Sequence, residues 1–518
     1  MKSSKIMSFI SALAAFFAVA QGAFAEISMP AIFSDNMLVQ RDMPVRIWGK
    51  AAPDALVKVE FAGRNAEVKA GADGGWKVEL AAQKGSFVPR EIVVYENGKV
   101  AKKIANVLVG EVWIAGGQSN MEFALYNCLG RDQAKNDADK FDGKFRYFRQ
   151  RLGSDSMDVK SDFPEKSCWF EVNSKTAMST SGVGFFFAQK LLERLDCPVA
   201  VLYASKGATC MATWVSEEFT NKNPFLRAEY EQFKKELAKY SKSEYEARRV
   251  AHKELMDKVK RSKLTENPVS VAWEKTVTPN PVSPRHLFVT PTFYYNCAIA
   301  PFGDLSVRGV IWYQGESDSH ARLVSQFTRS FKSVIDCWRA QFKNPNLPFL
   351  TVQIVSYENR NDWPATRQQQ FLCSKLFNNV YMASTIDCGE KTDIHPRDKK
   401  TVGVRLADIA LQKIYKMSDV YSDAPQLGSV GIAGNKALLN IGTFGRGLQF
   451  RGEPRGFDVC VDGKWVKPVS VKLDGDVLTV EAAEGAKITG VRYAWKNWAQ
   501  PEVCLFNRDG LPLIPFSY

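Results

Sequence analysis

The apolar positions of the chain fall into three successive patterns. From 26 to about 106 they alternate with polar ones. Val57, Val59 and Phe61 interleave with Lys58 and Glu60, and Trp76, Val78 and Leu80 with Lys77 and Glu79. A period of two belongs to strands with one buried face. Asp73-Gly74-Gly75 and Asn97-Gly98 supply turns between such runs, the second a strong hairpin signal. This stretch is expected to form a small β-sandwich-like module, read as packing support or, alternatively, as a carbohydrate-binding element.

At Val107 the pattern changes. Val107 to Ala115 is an apolar run broken only by Gly110 and Glu111, as in a strand covered on both faces. Val199–Ala204, Arg308–Tyr313, Phe349–Val355 and Val380–Ile386 read as further strands. Helices are expected over 185–195, about 321–342, from near Pro364, and over about 396–415. A polar stretch up to about Ser181 receives neither assignment. Strands alternating with helices predict an α/β fold over 107–418, a three-layer flavodoxin-like core with a parallel sheet of about five strands. Residues 221–266 or so, rich in Lys, Glu, Ala and Arg, read as an exposed helical insertion. After about Asp419 strand-like runs and Gly-rich turns return, so 419–518 is expected to be a second β module.

The first 25 residues stand outside this scheme. Lys2 and Lys5, the apolar Ile6–Ala20 and Ala23-Phe24-Ala25 have the layout of a cleavable signal peptide, cut after Ala25. The protein is therefore expected in the periplasm or secreted. The apolar core is too short to span a bilayer, and no other run reaches that length, so no membrane span is expected. The formal charge of +13 over 518 residues falls to +11 without Lys2 and Lys5. Lys and Arg are interleaved with Asp and Glu, which argues against nucleic acid and leaves attraction to anionic substrates. Ten cysteines lie scattered, with no Cys-x-x-Cys pair. No metal site is expected. Disulfide pairing and oligomeric state are not readable.

Candidate chemistry gathers after the strands, at the edge where open α/β sheets bind ligands. Gly116-Gly117 lets the chain turn sharply, and Ser119 follows, placed either as a nucleophile or as a helix N-cap. A nucleophilic serine needs a base. Of His252, His286, His320 and His395, the last is favoured, in Thr392-Asp393-Ile394-His395-Pro396 beyond the last strand. Asp393 is near enough to orient its ring. Gly207, in Ser205-Lys206-Gly207, can present an N–H to an oxyanion. Gln314, in Gln314-Gly315-Glu316-Ser317-Asp318, can donate an uncharged hydrogen bond there. Trp113, Trp214 and Trp312 lie close by, as sugar platforms or as core. Trp214 and Glu316 are the candidate substrate contacts.

Gly117-Gln-Ser-Asn-Met121, Trp312-Tyr-Gln-Gly-Glu-Ser317 and Asp393-Ile-His-Pro396 together resemble the sialate O-acetylesterases of the SGNH-hydrolase superfamily. Ile32–Gln40, Tyr295-Asn296, Pro301-Phe302, Val491–Trp495 and Gly510-Leu-Pro512 extend the resemblance over nearly the whole mature chain. It implies an SGNH hydrolase core and a carbohydrate esterase that removes acetyl groups from sugar hydroxyls without cofactor or metal. It implies Ser119 as nucleophile, His395 as base, and Ser119 and Gly207 as oxyanion donors; where the superfamily's third block usually supplies an asparagine this chain has Gln314 and then Asp318, and Gln314 is taken as the third donor. Asp393 stands two residues before the histidine, where many relatives have three. The implied substrate is O-acetylated sialic acid. Another acetylated glycan such as xylan is the alternative, and a non-catalytic glycan-binding protein the alternative of another class.

Overall fold

The computed structural model describes residues 27–151, 157–241, 243–244, 247, 250, 290–358 and 361–518. The expected signal peptide, His252, His286 and the insertion beyond 250 lie outside them. The helix that opens the insertion, Pro224–Leu237, is described and turns Leu226 and Tyr230 inward.

The chain is organised around one strand of 19 residues, β1 (Lys99–Gly117). Its first half pairs antiparallel with Ser86–Glu96 of the N-terminal β region, and Leu38–Gln40 pairs parallel with Leu108–Gly110. Its second half is the centre of a sheet with β2 (Phe145–Arg149), β3 (Cys168–Glu171), β4 (Val199–Ser205), β5 (Gly309–Tyr313), β6 (Phe349–Val352) and β7 (Val380–Ala383). The order is β7-β6-β5-β1-β4-β2-β3. All neighbours are parallel except β3, which runs antiparallel at the edge.

Alternation along β1 produces the three layers. Val112 and Ile114 enter one core with Phe331 and Trp338 of α3 (Phe327–Gln341) and Cys373 of α4 (Trp363–Leu376). Trp113 and Ala115 enter the other with Phe187 of α2 (Gly182–Arg194) and Leu406 of α5 (Lys399–Ile409). Burying successive residues on opposite faces is why the run is apolar throughout.

Two strands exceed expectation. β2 and β3 fall in the polar stretch left unassigned, because Arg146 and Arg149 break the apolar run of Phe145, Tyr147 and Phe148. Arg146 is nevertheless buried, and its charge meets Glu171 of β3 at 3.1 Å. The helix expected over 321–342 is broken into Ala321–Val324 and α3. After 419 the chain is β again, in two four-stranded antiparallel sheets and a two-stranded one pairing Gln449–Phe450 with Leu505–Phe506. Arg367 of α4 fastens them to the core: wholly buried, it donates to the carbonyls of Ile354 and Val355 and to those of Lys496 and Asn497. Burial without a carboxylate lowers its pKa to about 9.

Below the sheet centre, Glu111 of β1 is fully buried and accepts from Gln40 at 3.0 Å, Arg41 at 2.5 Å and Arg308 at 2.7 Å. It joins the N-terminal segment to β1 and to the start of β5. Removing one member of such a cluster strands the remaining charges in a dry site. Glu111→Ala is expected to lower unfolding free energy by about 3–5 kcal/mol in urea titrations. A loss below about 1 kcal/mol, the range of exposed pairs, would show that water already screens the cluster.

Candidate functional site

Gly117 ends β1 at φ +128°, and a Cβ there would stand 2.2 Å from the Tyr313 carbonyl oxygen. Only glycine lets the chain turn so tightly against β5. The Gln118 N–H then donates to that same Tyr313 oxygen at 3.0 Å. Ser119 opens a four-residue helix, α1 (Ser119–Glu122), whose N-cap is Gln118. The Ser119 hydroxyl is thus not a cap. Its Oγ lies 2.8 Å from His395 Nε2.

His395 comes from the loop between β7 and α5. Its ring stacks on Phe123, centroids 6.2 Å apart. Burial lowers its pKa, the nearby Lys399 ammonium lowers it further, and Asp393 and Glu122 oppose both. The neutral ring, able to take a proton, is therefore favoured. Asp393 Oδ1 accepts the His395 backbone N–H at 2.8 Å and stays 3.8 Å from Nδ1. With two residues of separation, the side chain folds back on its own loop, an Asx turn, and does not reach the ring with a hydrogen bond.

Asn120 ties these two segments together. Fully buried, it donates to the Ile394 carbonyl at 3.0 Å and to Glu316 at 2.5 Å, and accepts from Lys399 Nζ at 2.6 Å. Burial lowers the Lys399 pKa to about 8, and its ammonium lies 4.7 Å from the centre of the Phe123 ring.

Gly207 stands beside Ser119; an added Cβ would come 3.2 Å from Ser119 Cβ. Its N–H donates to Glu122 Oε2 at 2.5 Å, and Lys206 Nζ lies 3.5 Å from the other carboxylate oxygen. Three expected contacts are corrected. Gln314 spends its amide hydrogens on the Thr209 carbonyl at 2.6 Å and on Asp318 at 2.7 Å, so it has none for an oxyanion. Trp214 is wholly buried among Tyr294, Trp312 and Trp338, and cannot stack on a sugar. Glu316 is buried and accepts from Asn120, so it supports the site rather than contacting substrate. His320, exposed, stands at the N-cap position of the helix at 321 without a side-chain capping bond and does not line the cleft.

The Ser119–His395 pair opens on a cleft of about 640 Å³, whose walls include Tyr147, Arg149, Gln150, Tyr203 and Lys206. Asn120, Glu122, Arg149, Gln150 and Lys399 were not singled out from sequence. The first two adjoin Ser119, a signal that was available. Arg149 ends the unassigned β2 and Gln150 follows it, and Lys399 reads as an ordinary first-turn lysine.

Residues 292–412 match the model of a family described as carbohydrate esterase, sialic acid-specific acetylesterase. The chain is similar to the sialate O-acetylesterase of Mus musculus, 24% identical over 517 residues that cover 90% of this chain and 89% of the mouse protein. It is similar to that of Homo sapiens, 23% identical over 514 residues that cover 90% and 87%. Among solved structures it resembles a carbohydrate acetylesterase from Xanthomonas citri, 28% identical, with a TM-score of 0.78 over 95% of this chain and 99% of the other.

With four histidines in the chain, 13C-histidine spectra across pH can resolve His395. Its midpoint is expected below the ordinary value of about 6.5, and Lys399→Met is expected to move it upward. An unmoved midpoint would remove Lys399 from the electrostatics of this ring.

Proposed function

We propose that this chain, whose residues 292–412 match the sialic acid-specific acetylesterase family and which resembles sialate O-acetylesterases over most of its length, hydrolyses O-acetyl groups on sialic acids, with Ser119 as nucleophile and His395 as base. With residues 1–25 read as a signal peptide, the proposed reaction takes place outside the cytoplasm.

The single supporting observation is the 2.8 Å contact of Ser119 Oγ with His395 Nε2. In the first step Nε2 takes the Ser119 proton as Oγ attacks the acetyl carbonyl. The tetrahedral oxyanion accepts from the Ser119 N–H, which as the first in its helix has no partner within it. The Gly207 N–H is the second donor, once the Glu122 carboxylate turns aside. Collapse expels the sugar hydroxyl, which leaves with the proton from His395. Water, deprotonated by His395, then attacks the acetyl-enzyme and releases acetate and Ser119. Asp393 contributes charge to the imidazolium from 3.8 Å and shapes the loop through its bond to the His395 N–H. The reading is thus a Ser–His dyad assisted by Asp393.

The test is acetate release from O-acetylated sialic acid and from acetylated xylan by wild type, Ser119→Ala and Asp393→Asn. Wild type is expected to cleave the sialate, and Ser119→Ala to lose at least about 10⁴-fold in kcat. Turnover of xylan alone would move the substrate to a neutral glycan and leave the serine in place. Full activity in Ser119→Ala, or glycan binding without any hydrolysis, would end the mechanism.

Asp393→Asn separates dyad from triad. Its loss in kcat is expected to fall well short of the roughly 10⁴-fold that a triad aspartate contributes. A loss of that full size would make Asp393 an equal member.

A further inference from the structure

The cleft beside Ser119 is lined by three cations, Arg149, Arg151 and Lys206, and among its described walls by one acid, Glu122. Lys206 is engaged with that acid at 3.5 Å. Arg149 has no carboxylate within ion-pair distance among the described residues. Its guanidinium is nevertheless held in place. It lies 4.8 Å over the Phe170 ring, and Nη2 donates to the Ser179 carbonyl at 2.9 Å and to the Ser179 hydroxyl. Nε and Nη1 make no hydrogen bond among the described residues. Two residues on, Ser181 donates to the Met121 carbonyl of α1 at 2.6 Å, so the segment that anchors Arg149 is fixed to the nucleophile's helix.

Gln150, next along the chain, gives an independent sign of a ligand. Its Nε2 donates to the carbonyls of Tyr203 at 2.5 Å and Ala298 at 3.2 Å. Two acceptors on that side identify it as the NH₂ end. Oε1 is left as a buried acceptor without a partner among the described residues, on a side chain 2% exposed that lines the cleft. Such a group is costly unless something donates to it.

We propose that Arg149 and Gln150 form the subsite that reads an acidic sugar, the guanidinium taking the carboxylate and Gln150 Oε1 accepting from a neighbouring hydroxyl or amide. This rests on the sialate reading above and assigns its specificity. A planar guanidinium offers paired N–H groups that match a carboxylate, and a cation without its own acid gains most from one. A neutral acetylated sugar leaves Arg149 unneutralised, so the pair selects acidic glycans over xylan-like ones.

The test compares wild type, Arg149→Gln and Arg149→Lys on O-acetylated sialic acid, on its carboxyl methyl ester and on p-nitrophenyl acetate. Arg149→Gln is expected to raise KM for the free acid by roughly ten- to a hundredfold, the scale of a charge-assisted hydrogen bond. Its kcat, and its hydrolysis of p-nitrophenyl acetate, stay near wild type. On the methyl ester, wild type and variant converge. Arg149→Lys, keeping charge but losing the fork, falls between. If wild type turns over the sialate and Arg149→Gln does so equally well, the subsite is wrong while the function stands. Equal losses on p-nitrophenyl acetate and sialate would make Arg149 structural and overturn it too. No wild-type turnover of the sialate overturns the function, and the subsite with it.

Discussion

The three hydrogen bonds of Asn120 are the constraint on which the site depends. Ser119 and His395 are separated by 276 positions and arrive on different elements, α1 and a loop after β7. A contact of 2.8 Å between two such side chains survives only if their backbones are held independently of it. Asn120 does this by donating to the Ile394 carbonyl beside the histidine while sitting one residue after the serine. Its own orientation is fixed by a buried carboxylate on one side and a buried ammonium on the other. Glu316 and Lys399 each lose several kcal/mol of hydration in a dry interior. Desolvation accordingly raises the pKa of the first and lowers that of the second. The amide between them gives each a partner and lets one charge answer the other across it.

The same lysine links scaffold to chemistry. Its ammonium and the His395 ring both lie against Phe123, so burial and cationic charge act together on the imidazole. A ring held in this way is favoured in its neutral form without a buried aspartate on Nδ1. What an aspartate would add is stability for the imidazolium once formed, and Asp393 supplies that only at 3.8 Å. The short two-residue spacing before the histidine, visible in the sequence, has this geometric consequence.

Sequence pattern was most informative where one physical demand dominated. The two-faced burial of β1, the glycine turn after it, and the placement of Ser119 and His395 at one sheet edge all follow from apolar runs and their ends. It was least informative where direction mattered. Trp214, Gln314 and Glu316 do follow strands at the correct edge, yet loops there have a floor as well as a surface. Trp214 turned into the aromatic core, Gln314 into bonds with Thr209 and Asp318, and Glu316 towards Asn120. Residue type cannot distinguish these. β2 was hidden for the opposite reason. A buried arginine satisfied by Glu171 reads as a loop residue until its partner on β3 is known.

Glu122 brings a carboxylate into the place where the proposed reaction develops negative charge. The fold has a reason for it: the Gly207 N–H would otherwise lack a partner. A charged acceptor at 2.5 Å satisfies it well. The arrangement is compatible with catalysis only if the carboxylate can leave cheaply, and Lys206 makes that possible. At 3.5 Å from the other oxygen, its ammonium can hold Glu122 as the carboxylate rotates off the amide, so the exchange loses one hydrogen bond rather than an ion pair. In the proposed reaction the acetyl carbonyl would then take over the Gly207 N–H. On that proposal, preorganisation for an oxyanion is maintained by an anion of the protein's own, at the far end of the short helix that Ser119 opens.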